Sequence, residues 1–146
     1  MVRAGDVVRI TTRSEAGRAA IEAAGAECRV GTPDRLATLS GVLEAVTIVC
    51  WLLGTATGTA DQLRALHGPR LESFLAAAID TTMRGLIYES CGPSSSTEAL
   101  LSGARIVEDL AERNAIPVEL LTSDPRDTSA WLAQALAAVD SLLGRR

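Results

Sequence analysis

Residues 46–58 read Val-Thr-Ile-Val-Cys-Trp-Leu-Leu-Gly-Thr-Ala-Thr-Gly. The stretch is apolar and β-branched with no polar face, and it stops abruptly in small, flexible residues. Such a run predicts a strand covered on both faces, the kind found in parallel sheets sandwiched between helices. In open sheets of that kind ligands collect outside the carboxyl ends of the strands. Leu53, Gly54 and Thr55 are therefore the first candidates for ligand contact.

Working outward, Asp6 to Thr12 is rich in β-branched residues and predicts a strand. Ser14 is placed to cap a helix running to about Ala24, with Gly25 as its stop and Ala20, Ile21 and Ala24 facing a sheet. Ala26 to Val30 predicts a short strand. Thr32-Pro33-Asp34 opens a second helix that turns Leu36, Leu39 and Leu43 inward.

Beyond Gly58, Thr59-Ala60-Asp61 leads into a short helix ending near His67-Gly68. Pro69 starts a longer one with a stripe of Leu71, Phe74, Leu75, Ala78 and Ile79. A fourth strand lies within Arg84 to Ser90. Ser95 and Glu98 have capping-box spacing ahead of a helix that runs to about Asn114. Ile116 to Thr122 predicts a fifth strand, and the last helix turns Trp131, Leu132, Ala135, Leu136, Val139 and Leu143 inward. Strands alternating with helices over 146 residues predict one α/β domain, residues 1–146, with a three-layer, doubly wound parallel five-stranded sheet.

The core must be built from Ala, Leu, Val and Ile, because aromatic residues are only 3% of the chain. A net charge of −4 argues against a nucleic-acid partner, which needs a concentrated basic face. All 14 basic residues are arginine, so Schiff-base chemistry and any catalytic lysine are excluded. Cys28, Cys50 and Cys91 are odd in number and lack the paired spacing of a metal or redox motif, which predicts free thiols and no metal site. No signal-peptide core or membrane-length apolar run is present. The expectation is a soluble cytoplasmic protein.

In its order of elements the chain resembles the short-chain dehydrogenase/reductase superfamily, in particular its atypical NAD(P)-dependent epimerase-like and NmrA-like Rossmann branches. Three stretches carry the likeness. Thr11-Thr12-Arg13 is similar to the end of the family's second strand, which implies that Thr12 and Arg13 meet the adenosine ribose or its 2′-phosphate. Gly25 to Asp34 is similar to the third strand and its turn, which implies that Asp34 lies by the adenine. Residues 46–55 are similar to the fourth strand, whose end passes the cofactor, implying contacts from Leu53, Gly54 and Thr55.

Two family features have no counterpart. The first strand with its glycine-rich, pyrophosphate-binding turn is missing, so the chain reads as truncated at its amino end relative to the family, as a fragment of a longer protein, or as one whose missing strand another chain supplies. The Tyr-x-x-x-Lys pair is missing too, since Tyr88 is followed by Glu89, Ser90, Cys91 and Gly92. Removing strand 1 from the order 3-2-1-4-5-6 and closing the gap predicts the order 2-1-3-4-5.

Other groups have ordinary structural readings. Asp34 suits a first helical turn on the macrodipole alone, and Gly54 and Gly58 suit turns. Cys91 precedes a helix start, an environment that can activate a thiol, but nothing in the sequence brings His67 to it. The Ser94 to Thr97 cluster is explained by capping. Strand alternation predicts that one of Tyr88 and Glu89 is buried and the other exposed.

The function implied is NAD(P) binding related to epimerases and reductases, with a dinucleotide or small molecule as partner and the catalytic residues unassigned. The alternative is a non-catalytic α/β subunit or interaction domain that has lost its cofactor; a homo-oligomer is compatible with both. A flavin-binding or receiver domain fits poorly, lacking an acidic cluster after the first strand and aromatics to sandwich a flavin.

Overall fold

The computed structural model describes residues 5–144; the leader reading of Met1 to Ala4 lies outside them. Five strands are present: β1 (Arg9–Thr12), β2 (Glu27–Val30), β3 (Ile48–Trp51), β4 (Gly85–Glu89) and β5 (Val118–Leu121). Five α-helices accompany them: α1 (Arg18–Ala23), α2 (Ala60–Leu66), α3 (Pro69–Ala78), α4 (Thr97–Asn114) and α5 (Thr128–Leu142). Every strand pair is parallel, as expected when helices make the crossovers.

The five strands do not form one continuous sheet. β1 pairs with β2, and β3, β4 and β5 form a separate sheet in that order. The expected junction of β1 with β3 carries no strand pairing among the described residues. Instead Arg9 spans from β1 to the segment ahead of β3, donating to the Val42 and Glu44 carbonyls at 2.7 and 2.9 Å.

β4 is the centre of the larger sheet and all five of its residues are buried. Both Tyr88 and Glu89 are therefore enclosed, against the alternation expected of a half-exposed strand. One face meets the main core of Leu39, Leu43, Val49, Trp51, Phe74, Leu75 and Val107. On the other, Ile87 and Leu121 pack under Ala135 and Ala138 of α5.

Several local expectations change for identifiable reasons. The segment after Asp34 forms a single 3-10 turn over Leu36–Leu39 instead of an α-helix, although Leu39 and Leu43 do point inward. Its hydrogen bonds are local: the Thr38 hydroxyl donates to the Arg35 carbonyl and accepts from Thr32 N–H, fastening a loop before a helix can propagate. Ser14 makes no side-chain cap; a 3-10 turn at Glu15–Gly17 precedes α1. The Ser95 and Glu98 box is not formed either, because Ser94–Ser96 is a 3-10 turn and α4 begins at Thr97. A capping box does occur two helices earlier, at the start of α2, where Thr59 accepts from Gln62 N–H and Gln62 accepts from Thr59 N–H. α1 lies against β2 but buries no residue fully: Ile21 is half-buried, and Ala20 and Ala24 stay exposed instead of facing a sheet. In α5, Leu132 stays 36% exposed.

Gly103 lets α4 lie against β4: a Cβ there would stand 2.0 Å from the Tyr88 hydroxyl. Gly to Ala inside a helix ordinarily stabilises by about 1 kcal/mol. Here the sign should reverse, with Gly103→Ala costing roughly 1–3 kcal/mol through overpacking. Urea unfolding of the two proteins measures it, and an unchanged or raised midpoint would contradict the packing described.

Candidate functional site

The carboxyl ends of β3 and β4 are joined through a buried carboxylate. Glu89, 3% exposed, ends β4. Its two oxygens accept from Gly54 N–H at 2.7 Å and from the Trp131 indole N–H at 2.8 Å. Burying a carboxylate is costly unless its lone pairs find donors, and here one donor comes from the loop after β3 and the other from α5. The loops are in backbone contact as well: a Cβ at Gly54 would lie 2.4 Å from the Cys91 carbonyl, and one at Gly92 would lie 2.1 Å from the Gly54 carbonyl. Gly54 is thus required for packing, and its N–H is already engaged.

The other expected contact residues separate into free and engaged groups. Arg13, just past β1, is exposed and makes no ion pair with a described residue. Thr12 is half-buried, its hydroxyl donating to the Ser14 carbonyl at 3.3 Å and lying where a Cβ at Gly17 would meet it. Asp34 pairs with Arg70 of α3 at 2.9 Å, and its N–H is held by the Thr32 hydroxyl. Leu53 is half-buried against the main core, and Thr55 is exposed.

His67 and Tyr88 form a second buried polar pair. The phenol meets His67 Nδ1 at 2.8 Å and donates to the Leu100 carbonyl at 3.3 Å. Because Nδ1 and the carbonyl compete for one phenolic proton, the tautomer with Nδ1–H lets both contacts form. Burial lowers the His67 pKa, and attraction to the Leu53 carbonyl offsets only part of that effect; Nε2 makes no hydrogen bond of normal geometry. Burial also raises the Tyr88 pKa. Both groups stay neutral at pH 7, and Tyr88 has no access to a substrate. Among the described residues no hydrogen bond joins His67 to Cys91.

The Glu89 node was missed by sequence reasoning. Its signal was a carboxylate inside the apolar run Gly-Leu-Ile-Tyr-Glu, where only a satisfied buried acid or a strand end fits. Two cavities of about 270 and 300 Å³ lie elsewhere, one near Met83, Arg84 and Ile116 and one between α3 and α4 near Pro69 and Glu98. Neither touches the carboxyl ends of β1 and β3, where the parallel arrangement directs attention. Among the described residues no cluster of metal-ligating side chains occurs, and no helix is long and apolar enough to cross a membrane.

No protein-family model and no curated protein matches the chain. Solved structures do. The protein gox2253 matches with a TM-score of 0.65 at 15% identity, over 80% of this chain and 43% of its own. The Citrobacter sp. triphenylmethane reductase complexed with NADP(H) matches with a TM-score of 0.58 at 14% identity, over 77% of this chain and 38% of its own. A short-chain dehydrogenase/reductase superfamily protein from Agrobacterium tumefaciens with bound NAD matches with a TM-score of 0.58 at 17% identity, over 79% of this chain and 48% of its own. The chain shares its fold with these proteins and spans less than half the length of each.

Two outcomes test the buried pairs. As pH falls below the unfolded histidine value of about 6.5, the unfolded state binds a proton that folded His67 refuses, so stability should fall. Unfolding free energies from urea titrations at pH 7.5, 6.5 and 5.5 should drop in the wild type by at most about 1.4 kcal/mol per pH unit and drop less in His67→Gln. Glu89→Gln presents an amide N–H₂ to one of two N–H donors and should cost roughly 1–3 kcal/mol. Equal pH slopes in the first experiment, or wild-type stability in the second, would refute the respective assignment.

Proposed function

We propose that this chain is a Rossmann-type NAD(P)-binding protein related to NAD-dependent reductases and epimerases, with the five strands laid in the order 2-1-3-4-5. The adenosine end of the dinucleotide lies across the carboxyl ends of β1 and β3. The observation that carries this reading is Arg13, a cation without an ion pair among the described residues, just beyond β1 in a fold shared with NAD- and NADP(H)-bound proteins.

The fit of the residues is uneven. Arg13 and Thr12 suit a ribose or a 2′-phosphate, where a guanidinium offers forked donors. Leu53 and Thr55 supply an apolar wall and an exposed hydroxyl at the end of β3. Asp34 would contribute beside the adenine only by sharing Arg70. The pyrophosphate is served less well, since the Gly54 N–H is committed to Glu89. Tyrosine–lysine proton transfer lies outside this chain's chemistry, because it has no lysine and Tyr88 is buried. Three free thiols fit a reducing compartment, so we place the protein in the cytoplasm.

Calorimetry with NADPH and NADH tests the reading. Arg13→Ala should weaken NADPH binding roughly 10- to 100-fold, the worth of a charge-assisted contact of about 1.5–3 kcal/mol, and weaken NADH less. No heat and no thermal shift with either nucleotide would overturn it.

A second reading, a non-catalytic subunit or interaction module, is favoured by the edges of β1 and β3, which pair with no further strand among the described residues. A stable oligomer free of nucleotide in light scattering would support that reading over the first.

A further inference from the structure

The chain has one histidine and one tyrosine, and both are enclosed, their rings nearly perpendicular with centroids 5.8 Å apart. His67 ends α2, and its ring lies between two other parts of the fold. Nδ1 meets the Tyr88 phenol at 2.8 Å, and the phenol in turn reaches the Leu100 carbonyl of α4 at 3.3 Å. Nε2 is sealed from solvent without a hydrogen bond, and the Leu53 carbonyl lies close enough to the ring to attract its proton. With Nδ1 taken by the phenol, Nε2 is the nitrogen left for that carbonyl. Leu53 opens the turn after β3: its carbonyl accepts from Ala56 N–H at 3.1 Å, and the turn carries Gly54 and Thr55.

A neutral imidazole has one N–H and one lone pair, and the bond made by one nitrogen decides the state of the other. With the proton on Nδ1, the ring donates to the phenol oxygen and the phenol donates to Leu100, while Nε2 turns a lone pair toward Leu53. With the proton on Nε2, the ring donates to Leu53 and the phenol turns to donate to Nδ1. Each arrangement contains two hydrogen bonds. Neither strands the carbonyl it gives up, since Leu100 sits inside α4 where a helical N–H reaches it, and Leu53 keeps Ala56 N–H. Equal numbers of bonds and no stranded carbonyl bring the two arrangements close in free energy, the condition for a bistable element.

We propose that His67 is a two-position hydrogen-bond switch beneath the turn after β3, holding Leu53 when its proton is on Nε2 and holding α4 through Tyr88 when its proton is on Nδ1. The change carries no net charge. During a local opening one water molecule takes the proton from Nδ1 and another supplies a proton to Nε2, while the phenol keeps its own proton and only rotates. A contact that draws the Leu53–Ala56 turn outward therefore favours Nδ1–H, and one that presses it inward favours Nε2–H. The effect extends beyond the turn, because Gly54 within it holds Glu89. The switch is internal to the chain and stands whether or not a nucleotide binds.

A single histidine makes the test direct: long-range proton–nitrogen NMR correlations of the imidazole report which nitrogen carries the proton. At neutral pH the folded protein should show both tautomers, as two sets of signals or as averaged positions, in a ratio within about tenfold of unity. Tyr88→Phe removes the phenol–Leu100 bond and should move the ratio toward Nε2–H by about 2- to 10-fold, the worth of one neutral hydrogen bond, with the Leu53 carbonyl carbon shift moving in step. One tautomer alone in the wild type overturns the inference, and so does an unchanged ratio in folded Tyr88→Phe. If that variant does not fold, the wild-type ratio decides.

Discussion

The carboxylate of Glu89, withheld from water at the end of the most deeply buried strand, is the interaction on which the upper end of the larger sheet depends. Desolvating an ionised acid costs several kcal/mol, and the cost is met by donors from two separate elements, the Gly54 turn and α5. Those donors must be brought in together. Gly54 and Gly92 make this feasible by letting the loops after β3 and β4 touch backbone to backbone, a distance at which any Cβ would collide. A helix, two strands and two loops are thereby fixed relative to one another at the edge where a doubly wound fold meets its ligands.

On the opposite face of the same strand, the phenol of Tyr88 does comparable work inward. It holds His67 at the end of α2 and the Leu100 carbonyl within α4, and Gly103 gives the ring its room. The chain thus uses its only tyrosine and only histidine for internal support. What remains available to a ligand is the outer rim: Arg13, Thr12, Thr55 and the half-buried Leu53. That rim is where the proposed dinucleotide contact is placed.

Most of the element order was legible because it rests on strong local signals. Pro69 at a helix start, Gly25 with its positive φ of 82°, and the apolar stripe through Leu71, Phe74, Leu75 and Ala78 behaved as their patterns dictate. The apolar run containing Trp51 did form a strand, but it borders the three-stranded sheet and leaves Cys50 exposed, where its pattern predicted cover on both faces. The failures came where nonlocal or competing contacts decide. Thr38 diverted the Leu36 segment into a 3-10 turn, and the serine cluster before α4 formed its own tight turn. Burial of both Tyr88 and Glu89 follows from β4 lying between neighbours, which no two-residue pattern reports. Of the proposed site, the placement of Arg13 just past β1 and of Gly54 in the loop after β3 was readable. The engagement of Asp34 with Arg70 and of Gly54 with Glu89 was not, since those partners lie 36 and 35 residues away.

The split of the strands into two sheets also bears on how the molecule comes apart. Both apolar clusters draw their members from Leu36 onward; nothing from β1, α1 or β2 belongs to either. The amino-terminal lobe is therefore secured mainly by its own ladder and by Arg9, while the remainder shares one interior. Cooperative units of unequal strength open at different free energies. Residues 5–30 lie outside both apolar clusters, so the rim that carries Arg13 sits on the part of the molecule with the smaller share of buried apolar contact.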